Sequence, residues 1–487
     1  MADYDLAIIG GGLNGVSVAR DAAGRGLRVI LLEQGDLGSA ASSASPRLIH
    51  GDLALLERRA FLRVRAALAE RDVWLRIAPH LVRPMRFAIP AHSDERPSWL
   101  LRAGLLLYDQ LASRNGLPAS ATVDVTHHPI GNALKRPFGT AFAYSDSVVD
   151  DSRLVVAHAL DAAERGADIR TGARCVRADR LESWRLAVID RGHRRVITSR
   201  ALANASGAWT ASVAETVLRM PPPAVAPIQI SQIVVRRLFD TDTVYVFQNA
   251  DRRLIFASPY ARDFTLIGTV GHAFKGDPAA VAMAAADIAY LCDAANRYFR
   301  ERVEPSDVIR TVSGANMAID PANPMQDGSM AFDYRRGKAP LLTIFGGDVT
   351  TARLRAERAV SKLTPFYPMS PRWTANTPLP GGDFAWTRFD DEVDAARERW
   401  RFLGEAEAQR LVGAYGSRLA AVLGDAKSRA DLGPAFGPEL TGAEVRYLMA
   451  KEWARFPDDI LWRRSKLGLT MAAADREALA AFMAAKA

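Results

Sequence analysis

Six residues near the start of the chain restrict its fold more than any other stretch: Gly10-x-Gly12-x-x-Gly15. They follow a short apolar run at residues 6–9 and precede a helical pattern over 16–25 that Gly26 closes. A second apolar run, 29–32, ends at Glu33. Strand, glycine turn, helix and strand in that order predict a βαβ unit. In such a unit the first glycine allows a tight turn, the second clears room for a pyrophosphate, and the third lets the helix pack on the strand. The helix start then offers free N–H groups and a positive dipole end to the phosphates. Glu33 is placed to accept hydrogen bonds from an adenosine ribose, whereas a turn that holds no ligand gives no reason for an acid there. Gly10, Gly12, Gly15 and Glu33 are therefore expected to hold a dinucleotide.

Helical periodicity returns over 60–77 and stops at Pro79. Residues 84–149 read as short strands and turns. A helix is expected at 153–165, with strands near 168–176, 186–191 and 201–204. The last of these enters Ala205-Ser206-Gly207, a small-residue turn that lets backbone approach a cofactor. Residues 225–269 are strand-rich and 279–298 helical; 341–345 is a strand running into Gly346-Gly347, with a helix over 351–363. The Pro/Gly-rich stretch 365–382 reads as a linker, and 391–483 as a helical domain poor in strand residues. One fingerprint at the start, a long interrupted middle and a second glycine turn near 346 suit FAD lying extended through one domain better than NAD.

At 487 residues the chain is long enough for two or three cores, at roughly 150 residues each. Apolar content of 49% with 24% charged residues excludes a disordered chain. The 63 basic and 55 acidic residues leave a net charge of +8. That excess is scattered arginine with no basic block and no aromatic interleaving, so nucleic-acid binding is not expected. Cys175 and Cys292 stand far apart in no metal or redox spacing, and no metal is expected. Residues 1–5 lead straight into a strand without a secretory signal. No apolar run reaches the ~18–20 residues of a membrane span. The nearest, 100–108, is interrupted by Arg102, and Leu105-Leu106-Leu107 within it reads as core. A cytoplasmic protein is expected, or one peripheral on the inner membrane face.

Several segments together resemble the FAD-dependent, quinone-linked glycerol-3-phosphate dehydrogenase family, nearly end to end. They are Ile8-Ile9-Gly10-Gly11-Gly12 with Asn14-Gly15, Asp21-Ala22-Ala23-Gly24-Arg25-Gly26-Leu27, and Ser42-Ser43-Ala44-Ser45 followed by Leu48-Ile49-His50-Gly51. Ala78-Pro79-His80-Leu81, Pro84-Met85-Arg86-Phe87, Tyr144-Ser145-Asp146, Val149-Asp150-Asp151 and Phe274-Lys275-Gly276-Asp277-Pro278 join them, as do Lys338-Ala339-Pro340-Leu341-Leu342 and Leu461-Trp462-Arg463-Arg464-Ser465-Lys466. The resemblance implies an α/β fold with a discontinuous, Rossmann-like FAD-binding domain (1–83, 146–210 and 306–365). It also implies an antiparallel-sheet substrate domain (84–145 and 211–305), a linker (366–390) and a C-terminal α-helical domain (391–487). FAD would be held by Gly10, Gly12, Gly15, Glu33, Ser42, Ser43, His50, Gly207, Gly346 and Gly347. His50 would lie beside the isoalloxazine edge. A quinone or another electron acceptor, a peripheral membrane contact and a homodimer are all compatible with it.

The substrate half departs from the family pattern, and in one direction. After His50-Gly51 the family continues Gly-Leu-Arg-Tyr-Leu-Glu; this chain has Asp52-Leu53-Ala54-Leu55-Leu56-Glu57. The family's Lys-Gly-Ser-His is here Gln229-Ile230-Ser231-Gln232, and its Ser-Gly-Val-Arg-Pro is Ser313-Gly314-Ala315-Asn316-Met317. Its Arg-Asp-Tyr is Phe332-Asp333-Tyr334 and its Gly-Gly-Lys is Gly346-Gly347-Asp348. Five cations are thus replaced, by Ala54, Gln229, Asn316, Phe332 and Asp348, and two acids appear, Asp52 and Asp348. A phosphate leaving water needs charge-assisted hydrogen bonds from cations. The expectation is a small-molecule substrate that is neutral or cationic, an amine or alcohol, met by Asp52, Gln232, Asn316, Phe332 and Asp348. His50, Asp348 and Asp52 are the candidate catalytic groups. Two alternatives stay open: glycerol 3-phosphate oxidation with the phosphate held by Arg47, Lys275 or Arg335, and a catalytically silent FAD-binding homologue that acts by binding.

Overall fold

The computed structural model describes residues 2–91, 97–135, 138–249, 251, 253–318 and 329–486. Tyr4–Ile9 (β1), Leu13–Gly24 (α1) and Val29–Glu33 (β2) form the expected unit. β1 lies between β2 and the strand His193–Asn204, parallel to both, with Ile8 opposite Leu31 on one side and Ala203 on the other. Leu341–Phe345 continues the sheet in parallel and Ser329–Asp333 closes it in antiparallel; Asp168–Thr171 forms the far side. The central strands are apolar at nearly every position because both faces are covered. Leu6, Ile8, Ala203 and Leu342 pack with Val16 and Ala19 of α1, while Ala7, Ile9, Leu202 and Leu341 pack with Trp184, Leu186 and Val188.

The second sheet carries nine strands. Ala226–Arg236 lies between Phe264–Ala273 and Arg310–Ala318, antiparallel to both. The sheet is antiparallel except where Thr243–Gln248 runs parallel to Val82–Pro90. The helix Ala285–Tyr298 contributes Leu291, Ala295 and Tyr298 to one of its cores. The helices Phe61–Ile77 and Ser98–Gln110 contribute Val64, Leu68, Leu105 and Tyr108 to another. The C-terminal helices, among them Phe389–Arg399, Glu405–Tyr415, Gly442–Lys451 and Ala473–Ala484, bury a core of their own around Trp400, Leu411, Leu448 and Leu461.

Three expectations change. Residues 98–110 form a helix rather than strands and turns, with Pro97 at its start, where a missing N–H costs no helical hydrogen bond. It buries Leu105 and Tyr108 but leaves Trp99 71% and Leu106 54% exposed, so of the leucine run only Leu105 is core. The strand Arg310–Ala318, expected within the cofactor domain, pairs along Ala226–Arg236 in the second sheet, Ser313 opposite Ser231. The stretch after residue 366 is strapped down rather than a loose tether. The guanidinium groups of Arg20 and Arg165 lie 4.8 and 4.0 Å from the Trp373 ring, and Leu379 N–H donates to the Ile77 carbonyl at 2.7 Å. Among the described residues no helix is long and apolar enough to cross a membrane.

Candidate functional site

The glycine turn is built so that two of its glycines serve the fold and one faces outward. Gly10 has φ +112°, and a Cβ there would stand 2.5 Å from the Ala205 carbonyl oxygen. A Cβ on Gly15 would stand 1.9 Å from the Gly10 oxygen. At Gly12 the nearest atom to a Cβ is the Ser42 hydroxyl, 3.0 Å away. Gly12 precedes helix α1 as its cap residue, so the helix has no side-chain cap of its own and no acid in its first turn. Its Leu13 N–H donates to Ser42 Oγ at 3.0 Å. Glu33 accepts from Gly11 N–H at 2.6 Å and Gly35 N–H at 2.7 Å; burial pushes its carboxyl up, against the pull of those two donors. The Ser43 hydroxyl donates to the Gly38 carbonyl. Gly207, φ +56°, has open space where a Cβ would stand. A helix start without its own cap, two hydroxyls, an acid at the strand end and a glycine facing open space fit the pyrophosphate and ribose of FAD.

This cradle is closed by a turn far along the chain. Asn14 Nδ2 donates to the Gly346 carbonyl at 2.9 Å, and Asn14 Oδ1 accepts from Arg355 Nε at 2.9 Å. Arg355 also donates to Thr351 Oγ1 (3.1 Å) and the Asp348 carbonyl (2.8 Å). Gly346 has φ +51°, with a would-be Cβ 1.9 Å from the Met317 oxygen; at Gly347, φ +102°, it would stand 2.3 Å from the Arg355 guanidinium. Only glycine fits between the second sheet and that cation. Asn14 and Arg355 were not foreseen, because one sits at a variable position of the fingerprint and the other looks like any helical arginine.

His50, Asp52 and Asp348 stand around one junction. His50 N–H donates to Thr350 Oγ1 at 3.2 Å, and the Thr350 carbonyl accepts from Trp74 Nε1 at 2.7 Å. The His50 ring meets Phe256 edge-on, centroids 6.3 Å apart. Beneath the loop, Gly51 N–H donates to Tyr108 Oη (2.7 Å), which donates to Asp146 Oδ2 (2.6 Å), whose other oxygen accepts from Arg71 Nη1 (3.1 Å). Tyr108 and Asp146 are buried. Burial pushes the Asp146 carboxyl up, against the charges of Arg71 and His50. Asp52, φ +58°, is half-buried; its charge adds to burial and to Asp146 in raising the Tyr144 phenol. Asp348 is exposed and closes the turn into the helix Ala352–Ser361, its Oδ1 accepting from Thr351 N–H (2.7 Å) and Thr351 Oγ1 (3.0 Å).

The other expected substrate contacts have structural duties. Gln232 is buried, its amide donating to the Ala44 and Ser45 carbonyls at 3.1 and 2.9 Å, and so struts the serine loop. Asn316 donates to the Gly347 carbonyl at 3.3 Å and its Oδ1 accepts from Met317 N–H at 2.9 Å, so it braces the glycine turn. Phe332 packs on Phe366, centroids 5.9 Å apart, and on the core of the first sheet. Gln229 bonds Ser231 Oγ and the Ala282 carbonyl, and the side chain of Ala54 lies outside what is described.

Residues 5–352 match the family of FAD dependent oxidoreductases, and residues 372–486 match the C-terminal domain of alpha-glycerophosphate oxidase. The chain is 41% identical to a glycerol-3-phosphate dehydrogenase of Pseudomonas aeruginosa, over 99% of this chain and 95% of that one. It is 40% identical to a D-erythritol 1-phosphate dehydrogenase of Brucella abortus, over 97% and 96%. Among solved structures it resembles the glycerol-3-phosphate dehydrogenase of Bacillus halodurans complexed with FAD, at TM-score 0.77 and 22% identity, covering 99% of this chain and 90% of that one. The chain belongs to the FAD-dependent glycerol-3-phosphate dehydrogenase family and is an FAD-dependent oxidoreductase.

Proposed function

We propose that the substrate of this oxidoreductase is a small neutral or cationic alcohol or amine rather than glycerol 3-phosphate. The observation that carries the reading is the fate of the cations that might replace the five that are missing. Arg47 pairs with Asp150 at 3.5 Å and stacks on Tyr260 at 4.8 Å; Arg335 is exposed and pairs with Asp333; Lys275 is exposed. Two carboxylates lie close to the junction of His50 and Thr350 in sequence instead, Asp52 after His50 and Asp348 before Thr350, and either would repel a phosphate brought near it by about 1–4 kcal/mol, depending on the local dielectric. FAD, when bound, accepts the hydride at N5. The chain's part is to place the substrate's reacting carbon and to move a proton: His50 takes it from the hydroxyl or amine through a ring nitrogen, while Asp52 and Asp348 orient a polar or positive group.

One observation favours a second reading. The Arg355 guanidinium lies directly beneath the 346–348 turn, where a phosphate of a polyol such as that named for the Brucella abortus relative would find one counter-charge. Anaerobic mixing of the holoenzyme with amines, neutral polyols, glycerol 3-phosphate and erythritol 1-phosphate distinguishes the two. Loss of the flavin's visible absorbance with an amine or free polyol supports the first; rapid loss at low concentrations of either phosphate ester overturns it. The exposed Trp99, Leu106 and Leu62, with Arg58, Arg59 and Arg102 near them in sequence, support a peripheral contact with a membrane surface, from which a quinone would collect the electrons.

A further inference from the structure

We propose that the C-terminal domain is the clamp of the cofactor cradle: Arg463, Arg464 and Lys466 fix the 34–47 loop on which FAD must lie, and so set how tightly the cofactor is held. The proposal rests on the FAD site described above. Asp36 stands between Glu33 and Ser42, on that loop. Its Oδ1 accepts from Arg464 Nη2 at 2.8 Å and its Oδ2 from Arg464 Nη1 and, at 2.5 Å, from Arg463 Nε. The Arg464 side chain has no exposure and Asp36 7%. Arg464 also donates to the Glu452 carbonyl at 2.7 Å, and the Glu452 carboxylate returns across the boundary to Arg153 (3.0 Å at Oε1).

A second anchor holds the other end of the loop. Lys466, in a left-handed conformation at φ +60°, donates to Asp150 Oδ1 and Ser152 Oγ, both at 2.5 Å. Asp150 also pairs with Arg47 at 3.5 Å, and its neighbour Asp151 accepts from Ser45 Oγ at 2.8 Å. The loop's own ties to the glycine turn are few: Gly38 N–H to the Gly11 carbonyl at 3.0 Å, and Leu13 N–H to Ser42 Oγ at 3.0 Å. Domains that merely touch meet through wet, polar surfaces. Here Arg464, Asp36 and Lys466 are nearly water-free, and a buried ion that loses its partner is left uncompensated. The loop is therefore ordered before FAD arrives, and a pre-ordered site binds tighter because less freedom is lost on binding.

The test compares Arg464→Met with Arg410→Met, measuring FAD dissociation constants of full-length protein by calorimetric titration of the apoprotein. Arg410 pairs with two acids of the C-terminal domain, Glu439 at 3.0 Å and Glu444 at 2.8 Å; Glu439 also meets Arg262 of the second sheet at 3.2 Å, and neither acid bonds the 34–47 loop. Arg464→Met is expected to weaken FAD binding at least tenfold, and Arg410→Met less than twofold at comparable loss of thermal stability. Should Arg464→Met not fold, the near-isosteric Asp36→Asn and Lys466→Gln at the second anchor carry the same expectation. Equal weakening by the loop-anchor variant and by Arg410→Met, or unchanged affinity in both, overturns the clamp and leaves the FAD site standing. A wild-type chain that takes up no FAD overturns both.

Discussion

The nucleotide cradle and the reactive edge lie side by side yet are specified in different ways. At the cradle the backbone itself is the working part. Gly10 and Gly15 exist because a carbonyl oxygen occupies the place of their side chains, and Glu33 and Ser42 hold N–H groups that phosphates and ribose compete for. At the reactive edge the backbone is shared but the side chains decide. His50, Asp52 and Asp348 are carried by one junction pinned by Thr350 and Thr351. The two regions meet at the 346–348 turn through Arg355, so a scaffold of this kind can exchange its substrate while the backbone of the cradle is kept.

The harshest way to break this comparison is Gly15→Ala. The added methyl has nowhere to go, and we expect a loss of about 1–3 kcal/mol or more together with a colourless protein, read by flavin absorbance after purification. Tyr108→Phe strikes the other region. It strips the hydroxyl that links Gly51 N–H to Asp146 and leaves both buried groups short of a partner, at about 2–3 kcal/mol. Stoichiometric FAD with slower flavin reduction sharpens the contrast; loss of FAD breaks it.

Acid addresses the frame behind both regions. His158 and His80 are pulled down to about 3, by burial first and then by the charges of Arg20 and Arg153 respectively. Unfolded histidine titrates near 6.5, so the unfolded chain takes up protons that the folded one refuses. Stability is full above pH ~6.5 and falls as pH drops toward 3, by about 2 kcal/mol per histidine between pH 6.5 and 5. Melting temperature against pH should flatten by roughly half in His158→Gln. Asp348→Asn has the smallest effect on stability, under about 0.5 kcal/mol, because the amide oxygen can still close the turn. A cationic substrate should then show a KM raised about tenfold with kcat little changed, equivalent to ~1.4 kcal/mol. An unaltered KM confines Asp348 to the turn.

The same contrast explains what could be read without coordinates. The glycine spacing, Glu33, the strand 341–345 and the helix ending at Ile77 were legible because periodicity and obligatory glycines act locally. Gln232, Asn316 and Phe332 read as substrate contacts only from their place in a pattern. Their partners are the Ala44 carbonyl, the Gly347 carbonyl and Phe366, contacts that only tertiary packing creates. The helix Ser98–Gln110 escaped notice because Arg102 and Gly104 blur its apolar period, and its exposed leucines obey no core rule.

The seam between Asn14 and Gly346 spans 332 positions, and β1 leans on a strand that itself leans on Leu341–Phe345. A ribosome must therefore deliver some 346 residues before the opening segment can be capped. Until then the nascent chain carries an unfinished binding face, and a translation product that stops short of Gly346 leaves the ribosome without the lid its first forty residues require.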